Sequence, residues 1–409
     1  MVYEYEKETL SNGLEVIIEP RPERKVVGIE LMVKSGSMNQ SEDNRGIMHL
    51  IEHLLGNGSE NYPGKGEAEE EITKRGGYIN MGTTSLDTTV EGTVNKEDKD
   101  KLINTMIDIA FKSKLKYFKE EKEIIEAEIL EFKDDEEEIV EKNLEKIMYE
   151  NNYLLDILGT TETVKSLEKQ QVKELYKDIF HPNNASISLV GPLEKEETLD
   201  KIEKLTKDLK KKKEPERKKL KLIENPEDIL EEKECSSTYL RTGIHLPGRK
   251  FESKDYWNIL MLNEILGSSE DISFLYKKLR KDKNLVYHVH SLLGEKEEAC
   301  SIEMETSFEP KKREKVEENM KKVIKNLPEN LDEEKLREFK SYVKGEEKMM
   351  RDDVLFEASE LNDFNLYNCL SYLNEKINKI EEIELEEIKE TADKYLKTSE
   401  LFTSVVKPP

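Results

Sequence analysis
The order of elements along this chain begins again half-way through, and a repeat of that size constrains the fold more than any single residue does. Beyond the charged stretch KKKKEPERKK at 210–219, the segment STYLRTGIHLPG parallels the early apolar run VVGIELMVK. Next, YWNILMLNEILG parallels GIMHLIEHLL at 46–55, and ACSIEMETSFEPKKREKVEENMKKVI parallels the strand and helix near 90–110. The ends agree as well, HPNNASISLVGPL near 181–193 with KTSELFTSVVKPP at the C-terminus. A chain of 409 residues also exceeds what one hydrophobic core usually organises. The expected fold class is therefore α+β: two duplicated halves of about 200 residues, each a mostly antiparallel sheet with helices packed on it. The expected boundaries are 1–210 for the first half, 211–224 for a charged linker and 225–409 for the second half.

Local patterns fill in the first half. The β-branched runs LEVIIE at 14–19 and VVGIELMVK at 26–34 predict strands, as do the region 78–94 and NASISLVG at 184–191. A helix is expected to carry residues 46–55, another to follow Asn95 as its cap, and two charged helices to run over 118–150 and 165–180.

The formal charge of −24 argues against a nucleic-acid partner, because bulk repulsion opposes contact with a phosphate backbone. No stretch approaches the roughly 18 uninterrupted apolar residues of a membrane span, and MVYEYEKETLSNGLEVII lacks a basic start followed by an apolar core. No membrane association and a cytoplasmic location are the expectation. Cys235, Cys300 and Cys369 are far apart and in no paired motif, as ordinary reduced thiols are.

Two of the six histidines stand four positions apart in HLIEH, with a glutamate beside the second. On a helix His49 and His53 lie roughly 40° apart on adjacent turns, and Glu52 about 60° to the other side of His49. All three share one face. Two imidazoles one turn apart can reach a single Zn²⁺, and a glutamate beside them can hold water against it. Chance supplies about 0.02 such patterns in a chain of this composition. A lone helix histidine is more often a satisfied core or surface group, but a cluster of scarce polar residues among Ile47, Met48, Leu50, Ile51 and Leu54 needs partners. A third ligand is sought in YFKEEKEIIEAEILEF at 117–132, where Glu121 and Glu128 are seven apart. Glu128 also follows Ile124 and Ile125 and precedes Phe132, an apolar setting that favours a neutralising cation. Spacing alone leaves it equally well on a solvated helix face.

These residues resemble the inverzincin peptidases of the pitrilysin and insulinase superfamily, in particular the half-length branch that includes mitochondrial processing peptidase and bacterial relatives. HLIEH matches the metal motif, and the distance to two glutamates seven apart matches the third-ligand segment. The resemblance continues through SGSMNQSEDNRGIMHLIEHLLGNGS, the glycine turn and substrate strand RGGYINMGTTSLDTTV, and DILGTTETVKSL. In the second half, LRKDKNLVYHV carries the family's Arg and Tyr seven apart, here Arg280 and Tyr287. By itself an Arg ending a helix and a Tyr opening a strand are commonplace structural residues. Departures fall in the substrate strand, where Met81 replaces an Ala, one residue is inserted before Asp87, and Glu91 stands for a Tyr.

The resemblance implies a zinc endopeptidase with Zn²⁺ held by His49, His53 and Glu128, and Glu121 supporting a ligand from behind. Glu52 is implied as the general base, and Arg280 and Tyr287 as the pair that binds the substrate carbonyl. Short or unfolded peptides, leader peptides among them, are the implied substrates, bound as an added strand near Asn80, Thr83 and Thr84 within a closed chamber. The implied assembly is a homodimer, since both residue sets are present, or a heterodimer with a related chain. A non-catalytic scaffold or peptide-holding subunit is the competing reading, and a metal-sensing module a third.

Overall fold
A computed structural model describes residues 3–296 and 299–409. Its first sheet contains β1 (Glu6–Thr9), β2 (Glu15–Pro20), β3 (Val26–Val33), β4 (Tyr78–Thr83), β5 (Thr88–Asn95) and β6 (Ala185–Gly191), in the order β1-β2-β6-β3-β5-β4. The β-branched run at 26–33 becomes the buried interior strand β3, paired antiparallel with β5 and β6. Helices α1 (Ile47–Leu55), α2 (Glu67–Thr73), α3 (Lys99–Lys112) and α4 (Phe118–Asp134) belong to the same stretch of chain, and α3 packs on β3 and β5.

Residues 3–130, 153–218 and 347–374 gather into one compact unit. A helix from far along the chain, Val354–Leu366, therefore lies on β3 and β6. Close approach is bought by small side chains: a Cβ on Gly28 would stand 2.4 Å from the Val354 carbonyl oxygen. Polar groups tie the helix down, with Ser188 Oγ donating to Ala358 O at 2.6 Å and Ser186 Oγ to Asn362 Oδ1 at 2.7 Å. Glu30 is buried between them and accepts from Ser359 Oγ at 2.8 Å and Asn362 Nδ2 at 3.1 Å.

The other unit gathers 131–152, 219–346 and 375–409. Its sheet contains β7 (Asp228–Glu232), β8 (Thr238–Pro247), β9 (His288–Lys296), β10 (Ala299–Phe308) and β11 (Phe402–Lys407), in the order β7-β11-β8-β10-β9. The pairing sense repeats the first sheet: β7–β11 is parallel as β2–β6 is, and β11–β8, β8–β10 and β10–β9 are antiparallel as β6–β3, β3–β5 and β5–β4 are. The fold is the duplicated α+β arrangement that the repeat implies. The helix Glu136–Met148 packs on β8 and β11.

Three local expectations change. The helix expected over 118–150 is two, because Asp135 leaves helical geometry and its carboxylate accepts from the Glu137 and Glu138 amides as a cap. The one over 165–180 is likewise two, Thr161–Ser166 and Lys169–Ile179, interrupted at Leu167, whose ψ is 129°. Asn95 makes no capping hydrogen bond: a short 3-10 turn over Lys96–Asp98 intervenes before α3. Among the described residues no helix is long and apolar enough to cross a membrane.

Burial pushes the Glu30 carboxyl up to about 8, with Asp363 and Asp87 adding to the effect against the hydrogen bonds of Ser359 and Asn362. A carboxyl that holds its proton more tightly when folded stabilises fully below its unfolded value of 4.5, and that contribution is lost as pH rises through about 8. Glu30→Gln is expected to flatten this decline without abolishing it, since Glu19, raised to about 7 by burial, titrates in the same window. Urea midpoints measured from acid to mildly alkaline pH check this; parallel profiles for parent and variant contradict it.

Candidate metal centre
Helix α1 is apolar around most of its circumference, and Ile47, Met48, Leu50, Ile51, Leu54 and Leu55 are buried. The strip that remains carries His49, Glu52 and His53, so packing of the other faces fixes the direction in which the three point. The helix starts at Gly46, whose φ of +85° suits glycine. A Cβ there would meet Leu158 O at 2.4 Å. Gln40 locks this start: its Oε1 accepts from the Gly46 amide at 3.1 Å, and its Nε2 donates to Tyr153 O and Asp156 O at 3.0 and 2.9 Å. The sequence segment DILG is thus part of the brace under α1.

The Nε2 atoms of His49 and His53 face each other 3.2 Å apart, and Glu128 Oε2 lies 3.8 and 3.6 Å from them. One point stands about 2 Å from all three atoms, the distance at which Zn²⁺ takes imidazole nitrogen and carboxylate oxygen. Burial, with the His53 ring beside it, lowers the His49 pKa to about 3, so the ring is neutral and keeps a lone pair for a cation. His53 Nδ1 faces Glu121 Oε2 at 3.3 Å, which favours its proton on Nδ1 and leaves Nε2 free toward Glu128. Glu121 is 2% exposed, and its other oxygen takes the Lys65 ammonium at 2.5 Å. These donors fit a divalent ion with an open position.

Burial raises the Glu52 carboxyl above its ordinary range and the Glu128 carboxylate adds to this, while the Thr83 hydroxyl and His53 act in opposition. Thr83 ends β4, which stands at the edge of its sheet, and Asn80 is exposed on the same strand. The Thr84 hydroxyl is committed to the β4–β5 turn, donating to Asp87 Oδ2 at 2.9 Å and accepting from the Leu86 and Asp87 amides. In the other unit, Arg280 Nη1 donates to Val286 O at 3.0 Å, directly before Tyr287, and the Tyr287 side chain is exposed.

The apolar setting expected for Glu128 is different in detail. Ile124 is 40% exposed, while the buried face of α4 carries the expected Ile125 together with Glu121 and Ile129. Lys65 was invisible in the sequence because a lysine in a glycine-rich loop carries no periodic or spacing signal; the same holds for Gln40.

Family models match two adjoining stretches, "Insulinase (Peptidase family M16)" over residues 15–162 and "Peptidase M16 inactive domain" over 166–343. The chain belongs to peptidase family M16. The second M16 stretch contains no H-x-x-E-H pattern. An uncharacterized zinc protease of Bacillus subtilis (strain 168), YmxG, is 27% identical over 290 residues, 69% of this chain and 68% of that protein. Mitochondrial-processing peptidase subunit beta of Dictyostelium discoideum is 26% identical over 197 residues, 47% of this chain and 42% of that one. The fold matches the crystal structure of a protease from Helicobacter pylori with a TM-score of 0.93 and 19% identity over 100% of both chains. Membership of M16 and these relatives support a peptidase-like or processing role.

Gly46→Ala forces a left-handed residue against a carbonyl and is expected to destabilise the M16 fold by about 1–3 kcal/mol. A urea midpoint unchanged from the parent would contradict this account of how α1 begins.

Proposed function
We propose that this M16 chain is a zinc-dependent endopeptidase acting on short or unfolded peptides, leader peptides included. The observation that carries the reading is the convergence of His49, His53 and Glu128 on one point, with Glu52 on the same helix as the histidines. Bound there, Zn²⁺ supplies a Lewis acid for the scissile carbonyl and makes water more acidic. Glu52 takes the proton of the attacking water and passes it to the leaving amine nitrogen. Glu121 holds the His53 ring in the orientation that frees Nε2, and Lys65 holds Glu121.

The peptide joins the outer edge of β4 as an added strand, since that strand ends the sheet order and offers backbone groups on its free side. Asn80 and Thr83 flank it, and Thr84 shapes the turn at its end. Extended chain is scarce on a folded protein's surface, which is why unfolded and short substrates are favoured. Arg280 and Tyr287 enter the proposal as the groups that bind the substrate carbonyl and stabilise its developing charge. Two copies of the chain, or one copy with a related chain, form the closed chamber.

The test is digestion of a mixed peptide library by the full chain, read by mass spectrometry alongside zinc content. Glu52→Gln is expected to retain zinc and lose about 10²–10⁴-fold in cleavage rate. His49→Ala is expected to lose one equivalent of zinc together with all cleavage. Cleavage that survives a chelator, or that Glu52→Gln leaves intact, overturns the proposal. Glu121→Gln is expected to weaken zinc binding about 10–100-fold, with cleavage recovered by added zinc; an unaltered affinity in competition with a chromogenic chelator would rule out its orienting role.

A further inference from the structure
Four of the six histidines fall into two clusters, and only one of these is the centre described above. The other lies in the second sheet. His288 and His290 are two apart on β9 and so share one face of the strand, and Glu305 of β10 is the register partner of His290 on that face. Glu305 Oε1 lies 3.9 Å from the Nε2 atom of each histidine. One ligand atom from each of the three residues lies within 4.8 Å of the others.

We propose that His288, His290 and Glu305 form a second metal site, which takes an imidazole-preferring divalent ion such as Zn²⁺, Co²⁺ or Ni²⁺. The supporting groups are arranged as ligands require. Ser307 Oγ meets His288 Nδ1 at 3.1 Å, which orients the ring so that Nε2 points toward Glu305. Arg241 Nη1 donates to Glu305 Oε2 at 2.7 Å, holding the carboxylate with Oε1 turned to the histidines. The same guanidinium also meets Glu303 at 2.9 Å and Glu141 at 2.9 Å, which fixes it in place beside Glu305.

The cluster is wider than the His49 centre, and binding requires the imidazoles to swing inward by a few tenths of an ångström, on the order of a small χ rotation. Both rings have room to do so, with side chains 38% and 41% exposed. Their exposure leaves the remaining positions of the ion to water, so the site is weaker than the buried one. Hard ions such as Mg²⁺ and Ca²⁺, which favour all-oxygen ligands, are disfavoured. Occupancy pins β9, an edge strand, to β10 at the end that begins next to Tyr287.

The experiment is metal stoichiometry of the full chain, stripped with chelator, reloaded with Zn²⁺ or Co²⁺, desalted and measured by plasma mass spectrometry. The parent is expected to hold two equivalents, and His290→Ala one. The doubly substituted His49→Ala, His53→Ala chain is expected to keep one, which a further His290→Ala removes. A second equivalent that persists in His290→Ala, or a parent with one equivalent that His290→Ala does not reduce, overturns the proposal. His290 is half-exposed, so its variant tests the site without risk to the core. A parent holding a single equivalent that only His290→Ala removes would uphold this site while sinking the His49 centre.

Discussion
Two imidazole nitrogens held 3.2 Å apart are the interaction on which the rest of the site depends. A proton on one of them bridges the pair as a hydrogen bond, a cation would take that proton's place, and the neighbours hold the pair where it is. The buried apolar faces of α1 set its rotation, Gln40 and Gly46 set where it starts, and Glu121 faces Nδ1 of His53. Glu128 arrives from a different helix, so the geometry also requires the packing of α4. The polar cluster is costly to bury, and its own contacts, Glu121 with His53 and Lys65 with Glu121, offset part of that cost.

Much of this was legible in the sequence because it is written in periods. HLIEH places three residues on one helical face by rotation alone, and the β-branched run at 26–34 marks a strand, which the structure places over 26–33. The second half repeats the same order of patterns, and the two sheets repeat the same pairing. What was not legible is contact between distant segments. Nothing in VLFEASELNDFNL indicates that it covers β3 and β6, because Glu357, Glu360 and Asn362 look like solvent-facing residues until their buried partners are known. Asp135 divides a helix that periodicity treats as continuous, since a single capping carboxylate is a local hydrogen-bonding event.

The duplicated halves have also diverged chemically at one equivalent helix. In the first, the half-buried strip of α1 carries His49, Glu52 and His53. In the second, the helix Lys254–Asn263 ends in Asn263, whose carbonyl and side-chain oxygens both accept from Ser291 Oγ of β9, at 3.1 and 2.7 Å. One scaffold position carries a cluster of histidine and glutamate in one copy and packs an edge strand in the other, which is how a repeat can keep its topology while its two members specialise.

The covering of β3 by Val354–Leu366 sets a timetable for synthesis. Residues up to 218 supply the whole first sheet, yet the helix that shields Glu30 and the face around Gly28 lies beyond residue 353. At ordinary translation speeds the gap amounts to roughly ten to thirty seconds. Throughout it the nascent first half has its strands but not the helix that will cover that sheet face.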